Sequence, residues 1–579
     1  MKNHYLNIIV ILLSGLLVSC SNDYESVPLE DVTIDYVFNK DDSLGTKANQ
    51  FLNQIYLSLP TGYNRIDGYL LDAATDDAIG IDEGTTTISK LAQGIYTSYN
   101  LITQDMIWGT YYSTIRSTSI FVNNIDNVPV KDTTANGLSV KYAWKAEARF
   151  IRALTYFELL KRYGGVPLMG DEVRELGDDL ELPRNSFAEC VHYIVGECDD
   201  IKDSLLHNPV PNPSVNSHRP TKGSALALKA RVLLYAASPL FNGGNIDPNN
   251  PLTGYTDYDV NRWDSAAIAA QDVINLNAYS LIPHFKDIFL VQNNKEIIFF
   301  RQGSNSNYDV ESNNGPIGFT ANAKGKGKTN PTQELVDAFP MISGKAIDET
   351  GSGYDPSNPY LNRDPRLDST IIHNGTPWLN STMQTYIGGA NNPIISSQSI
   401  VTATTRTSYY MKKFMGRFET ATEYSNVSRD WISFRYAEVL LNYAEAQNEF
   451  SGPDASVYQV LKDIHKRAGI TAGDDDMYGL KSNMTQDEMR NAIHNERRIE
   501  MAFEEQRYWD IRRWKIAEDV MTKPLHGEYI LRSNDGKLTY STKEVFTPEF
   551  TERMYLYPIP YTEVVKNSNM KQNPGWEVE

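Results

Sequence analysis

Asp76, Asp77, Asp82 and Glu83 crowd one Gly- and Thr-rich stretch, TGYNRIDGYLLDAATDDAIGIDEGTTTISK. Two carboxylates held roughly 5–5.5 Å or 6.5–9.5 Å apart are the machinery of glycoside hydrolysis. Nothing in the sequence fixes such a separation or singles out two of the four, and no GxSxG or HExxH pattern offers another catalytic centre. Glu496, Glu500 and Glu504 recur every four residues, which stacks like charges on one helical face unless cations intervene. Arg497, Arg498, Arg507, Arg512 and Arg513 lie alongside, so the pattern predicts an internal salt-bridge network. A di-metal carboxylate site would need a Glu-x-x-His partner helix, and the sequence has none. In AKGKGKT the position five before Gly327 is Asn322, so the phosphate cradle of a P-loop is incomplete. The segment reads as a loop, with Lys324, Lys326 and Lys328 available to an anionic sugar or a peptide carboxylate. GGNIDPNN carries oxygen ligands that would suit calcium, but without EF-hand spacing. No cofactor, no catalytic residue and no metal ligand is assigned.

Binding chemistry has better material. The chain holds 35 tyrosines and 8 tryptophans, and flat rings beside amide, carboxylate or guanidinium groups are what sugars need. Most rings must be core; Trp108, Tyr111 and Tyr112 sit inside a helical pattern and read as packing. Tyr96, Tyr99 and Asn100 adjoin the long acidic excursion, and loops carried on a rigid scaffold often hold function.

Three cysteines define the compartment. Lys2 followed by Ile8–Leu13 and Leu16–Val18 reads as a secretory signal, too short for the ~20 apolar residues of a membrane span. Leu17-Val18-Ser19-Cys20 resembles the bacterial lipobox, which implies cleavage before Cys20 and its acylation. Cys190 and Cys198 share one helical pattern about 12 Å apart, beyond disulfide reach, and are expected free and buried. His192 between them lacks metal-ligand spacing. The net charge of -19 opposes nonspecific binding to nucleic acid or anionic headgroups.

The elements that must position these groups are mainly helices. Residues 1–19 form the signal peptide and 20–45 a tether. Residues 46–579 read as one domain, with paired helices mainly within 141–278 and 431–520 and loop-rich insertions at 60–104 and 279–429. KAEARFIRALTYFELLKRYGG places Phe150, Leu154, Phe157 and Leu160 on one face and ends on glycines; its expected partner is the Cys190 helix. KGSALALKARVLLYAASP is apolar on two faces and should be sandwiched, pairing with DSAAIAAQDVINLN. EIIFF reads as a strand. Small residues alternating with large ones, as in Ala437, Leu441 and Ala444, suggest helix pairs stacked as a solenoid.

Several stretches together resemble the SusD/RagB family of outer-membrane nutrient-binding lipoproteins: ARFIRALTYFELLKRYGGVPL, ALALKARVLLYAASPLFNGGN, FRYAEVLLNYAEAQNE with ERRIEMAFEEQRYWDIRRW, LYPIPYTEVVKNSNMKQNPGW and the mid-chain NPTQELVDAFPM. The resemblance spans nearly the whole mature chain, in the expected order. It implies a mostly α fold in which tetratricopeptide-like helix pairs support a loop-rich ligand-binding half with few short strands. It also implies a lipid-anchored, surface-exposed protein of the outer membrane that captures oligosaccharides, or in some members peptides, without enzymatic chemistry and passes them to a TonB-dependent β-barrel transporter. The family's ligand surface draws on the early excursion and on loops after the mid-chain strand, which adds Tyr308, Phe319 and Trp378 to Tyr96, Tyr99 and Asn100 as candidate contacts. A secreted polysaccharide hydrolase recruiting Asp76 or Asp77, and a purely protein-binding scaffold, are the competing expectations.

Overall fold

The structure is a computed structural model that describes residues 33–577 apart from 83, 85, 135–136, 176, 209–215, 304–306 and 395–404. The signal peptide and Cys20 lie outside the described residues.

The main helices are α1 (Thr46–Tyr56), α2 (Trp108–Asn124), α3 (Val140–Tyr163), α4 (Phe187–Ile201), α5 (Lys222–Ala237), α6 (Asn261–Asn275), α7 (Tyr436–Ser451), α8 (Ala455–Ala468), α9 (Gln486–Glu500) and α10 (Gln506–Arg513). The sequence starts several of them explicitly. Ser186 with Glu189, and Thr485 with Glu488, form capping boxes, and Asp454 accepts from the first backbone N–H groups of α8, each satisfying donors that have no partner within the helix. α3 ends at Gly164.

Each helix covers its neighbour's apolar face in series: α2 on α3, α3 on α4, α4 on α5, α5 on α6, α6 on α7, and α7 on both α8 and α9. Residues 276–435 separate α6 from α7 in the chain, yet the two pack together, so the N- and C-terminal helix sets form one stack and the loop-rich half emerges from its middle. Small residues make this junction possible, since Ala266, Ala267 and Ala446 share a buried cluster with Trp263 and Leu234. α5 lies between α4 and α6, as its two apolar faces require. Cys190 and Cys198 are free and buried on α4.

The strands are β1 (Ala74–Thr75), β2 (Ala78–Gly80), β3 (Ile297–Arg301), β4 (Thr329–Pro331), β5 (Trp431–Arg435), β6 (Leu525–Arg532) and β7 (Leu538–Phe546), with a few two-residue pairs besides. β1, β2 and β4 form an antiparallel three-stranded sheet in which Ile79 faces Asn330. β3 pairs with β5, setting Ile297 opposite Arg435 and Arg301 opposite Trp431. The β2–β4 pairing joins the early excursion to the mid-chain loops, and the β3–β5 pairing closes the two ends of the loop-rich half on each other.

Two expectations need correction. The packed fold begins near Ile34 rather than at residue 46: Thr33 caps a one-turn helix, Val37 and Phe38 are buried, and the Phe38 ring meets Phe51 and Phe121 edge-on at 5.7 Å. Burying a phenylalanine is worth ~1.5–3 kcal/mol, so this part of the presumed tether is structural. The glutamate network exists, but with other cations than those expected. α9 stops at Glu500 and the chain turns through Phe503 (φ 64°), so the three glutamates do not share one continuous helix. Glu496 binds Arg366 and His465, Glu500 binds Arg366, Arg435 and Arg467, and Glu504 binds Arg435 and Lys413. Nearby arginines turn elsewhere: Arg497 and Arg513 to Asp510, Arg498 and Arg507 to Asp76, while the Arg512 guanidinium lies 3.5 Å over the Tyr508 ring.

Candidate functional site

Ion pairs that run back to the helical stack fix the early excursion. Arg65 reaches Asp105 and Glu505, both at 2.8 Å, and Asp105 is also bound by Arg162 of α3 at 2.6 Å. Burial opposes ionisation of Asp105, but Arg162 and Arg65 hold its carboxyl well below the usual range. Arg507 grips Asp76 at 2.8 and 2.7 Å, and Arg498 reaches Asp77 at 2.6 Å. Burial likewise works against Asp76, and Arg498 and Arg507 overcome it to keep the group ionised. The carboxylates that a hydrolase would recruit are thus buried and committed to clamping the β1–β2 hairpin onto α9 and α10. Asp82 accepts the Tyr69 hydroxyl, and Glu83 lies outside the described residues.

Arg65 belongs to a turn that presents polar groups to solvent. Asn64, Asp67 and Gly68 all have positive φ, and the Gly68 N–H donates to Asn64 O at 2.9 Å. Glycine suits position 68 because its φ of 92° is a backbone conformation that L side chains rarely adopt. Gln104 donates to Asp67 at 3.0 Å, Thr87 donates to the same carboxylate, and Lys328 donates to the Asp67 carbonyl. Asn314 donates to Asn64 at 2.9 Å. Of the three loop lysines, Lys328 is thereby tied into the turn.

Beside this turn is a groove of about 310 Å³. One wall is Thr61, Tyr63 and Asn64 from the excursion. The other comes from the end of β3 and the loop after it, including Arg301, Gln302 and Asn307, and Arg429 with Trp431 complete it. The β3–β5 register decides this placement, because pairing Arg301 with Trp431 sets the end of one strand beside the start of the other. Tyr63 and Trp431 meet edge-on at 4.9 Å, and the Tyr63 hydroxyl donates to Asp430 O at 3.2 Å. Gly62 packs directly on the indole, since a Cβ at 62 would come within 2.1 Å of the ring. Aromatic edges, two guanidiniums and several amides in one recess are the groups that hold sugar hydroxyls and ring faces.

A roomier cleft of about 530 Å³ lies between Trp108, Tyr112, Met169, Leu180 and Met570. Its walls are mainly apolar and it draws on neither the 61–64 turn nor the loops after β3, so it offers a poorer match to a polyhydroxylated ligand.

The candidate contacts named from sequence scatter. Tyr96 is 2% exposed and stacks on Trp576 at 5.3 Å, so it is core. Trp378 is 0% exposed and donates its indole N–H to Tyr424 at 3.3 Å, which also makes it core. Tyr99 is exposed and stacks on Tyr561 at 3.9 Å, and Asn100 is held by backbone bonds to Thr97. Tyr308 alone belongs to the groove's neighbourhood, half-buried between the lining residues Asn307 and Asp309; Phe319 is half-buried against the core. Tyr63, Asn64, Arg301, Arg429 and Trp431 were missed. Gly62-Tyr63-Asn64 in a turn-rich context was a usable signal, whereas Trp431 and Arg301 read as ordinary strand residues until their pairing is known.

The fold and groove define a class: a helical-repeat scaffold that displays a polar and aromatic recess on loops. A family model described as SusD family matches residues 295–576, and another, described as starch-binding associating with outer membrane, matches residues 36–234. The chain belongs to the SusD/RagB family. SusD-like protein P2 of Formosa agariphila is 25% identical to it, the alignment covering 100% of both chains. The crystal structure of a SusD-like protein from Bacteroides fragilis superposes with a TM-score of 0.74 at 26% identity, covering 95% of this chain and 99% of that one. A second B. fragilis structure, described as a SusD-like carbohydrate binding protein, gives a TM-score of 0.71 at 23% identity over 91% and 99% of the two chains.

Proposed function

We propose that this chain is a lipoprotein of the outer membrane, anchored through Cys20 and facing outward, that captures oligosaccharides without cleaving them and passes them to a TonB-dependent β-barrel transporter. The observation that carries the reading is the groove itself, where half-buried Tyr63 and the edge of Trp431, 8% exposed, border Asn64, Gln302, Asn307 and Arg301, which supply hydrogen-bonding groups on a clamped scaffold. Capture of this kind rests on shape, stacking and hydrogen bonds and uses no cofactor. Asp76 and Asp77, the carboxylates that a hydrolase was expected to recruit, are engaged in ion pairs, which favours binding over hydrolysis.

The test is calorimetric titration of the mature chain carrying Cys20→Ser against a panel of oligosaccharides and peptides, with the ligands then analysed for cleavage. Saturable binding of a glycan class that Tyr63→Ala weakens by about tenfold or more, with ligand recovered intact, is expected. Recovery of shortened glycan would replace capture by hydrolysis, and binding of peptides alone would replace the cargo.

A further inference from the structure

We propose that the groove selects an acidic glycan, seating a carboxylate or sulfate oxyanion between Arg301 and Arg429; this rests on reading the groove as the glycan site. Arg301 ends β3 half-buried, opposite Trp431. Its Nη2 donates to Leu57 O at 3.1 Å, and it has no ion pair with a carboxylate among the described residues. Burial without a counter-charge lowers its pKa. Arg429 is 3% exposed and lines the same groove. Its Nη2 donates to Glu311 at 2.6 Å, while Nε and Nη1 have no partner among the described residues.

Glu311 is fully buried and is already the ion-pair partner of Arg429, with its Oε2 left without a hydrogen-bond partner among the described residues, while Asp430 is held by other donors and Asp309 faces solvent. Glu311 Oε1 also accepts from the Gly416 N–H at 3.0 Å. Asp430 accepts from the Gly303 N–H at 2.9 Å and from Gln292 at 3.3 Å, and burial raises its pKa. Asp309 stands exposed at the rim, without an ion pair among the described residues. Buried donors left unpaired are costly. A sugar hydroxyl would satisfy one N–H at a time, whereas an oxyanion meets a planar guanidinium fork with two acceptors and offsets the charge of Arg301, the one of the two arginines without a carboxylate partner among the described residues. A uronate carboxylate and a sulfate ester share that chemistry.

The experiment titrates the mature Cys20→Ser chain with three families of size-matched oligosaccharides, uronate-bearing, sulfated and neutral, at low and high salt. The wild type, Arg301→Gln, Arg301→Lys and Arg429→Gln are compared, each checked for native folding by circular dichroism. One acidic family binding at least tenfold tighter than the neutral one, weakening with salt and losing that advantage in Arg301→Gln more than in Arg301→Lys, is expected; which acidic family does so identifies the oxyanion. Arg301→Gln keeps the question open to decision should Arg429→Gln misfold. Neutral glycans binding as tightly as both acidic families, or an equal loss for all three in Arg301→Gln, overturns the acidic selectivity and leaves glycan capture standing. Absence of saturable binding by any family to folded protein overturns both.

Discussion

Glu496→Gln removes one buried charge while nearly preserving shape, and its cost follows from the groups around it. Burial by itself would raise the Glu496 carboxyl; Arg366 and His465 outweigh it and hold the group down to about 2, against an ordinary 4.5. At roughly 1.36 kcal/mol per pH unit that gap corresponds to about 3 kcal/mol of folding stability. The folded-state value is depressed, so the contribution is complete above 4.5 and disappears as pH falls toward 2. At pH 3.5 about 2 kcal/mol of it remains by the same linkage. His465 has the opposite sense: burial lowers its pKa but Glu496 raises it above 6.5, so its share is present below 6.5 and fades as pH climbs through the raised value. Urea unfolding followed by tryptophan fluorescence at pH 3.5, 5.5, 7 and 9 should show the wild-type advantage over Glu496→Gln largest near pH 5.5–7 and smaller at both extremes. A penalty that is the same at every pH, or below about 1 kcal/mol at pH 7, would refute the assignment of Glu496 as an ionised bridge between the 364–366 segment and α9.

Gly62→Ala should force the Trp431 indole away from a Cβ built 2.1 Å from it, weakening glycan binding by about tenfold in calorimetry as the recess changes shape. Trp378→Ala should cost about 3–5 kcal/mol in chemical denaturation, because the side chain is fully buried, while the folded fraction keeps its ligand affinity; a selective loss of affinity would return Trp378 to the site. Burial pushes the Cys190 thiol up to about 12 and the Cys198 thiol higher still, so at pH 8 neither should react with an aromatic disulfide reagent until denaturant is added. Reaction of the native Cys20→Ser chain within minutes would show that α4 opens.

The sequence by itself determined the scaffold. Apolar spacing in α3 to α6 and α7 to α9, and capping residues such as Ser186 and Thr485, act within a few residues, and local signals of that range are readable in a single chain. Gly, Asn, Asp and Thr runs also marked 60–104 and 279–429 as loop-rich, and most of the groove's lining residues fall there, but a role for them in binding came only from the family resemblance. What tertiary structure decided was which side chains meet. Tyr96 and Trp378 sit in loop-rich text, yet their rings are buried against Trp576 and Tyr424 from distant segments. Arg301 and Trp431 look like strand residues, and they become neighbours only through the β3–β5 register. The glutamates of α9 were recognisable as a group needing cations, but Arg366, Arg435 and Arg467 come from elsewhere in the chain. A periodic pattern tells which face of an element is apolar; the partner of a buried ring or charge depends on contacts between remote segments, and those exist only once the chain has closed upon itself.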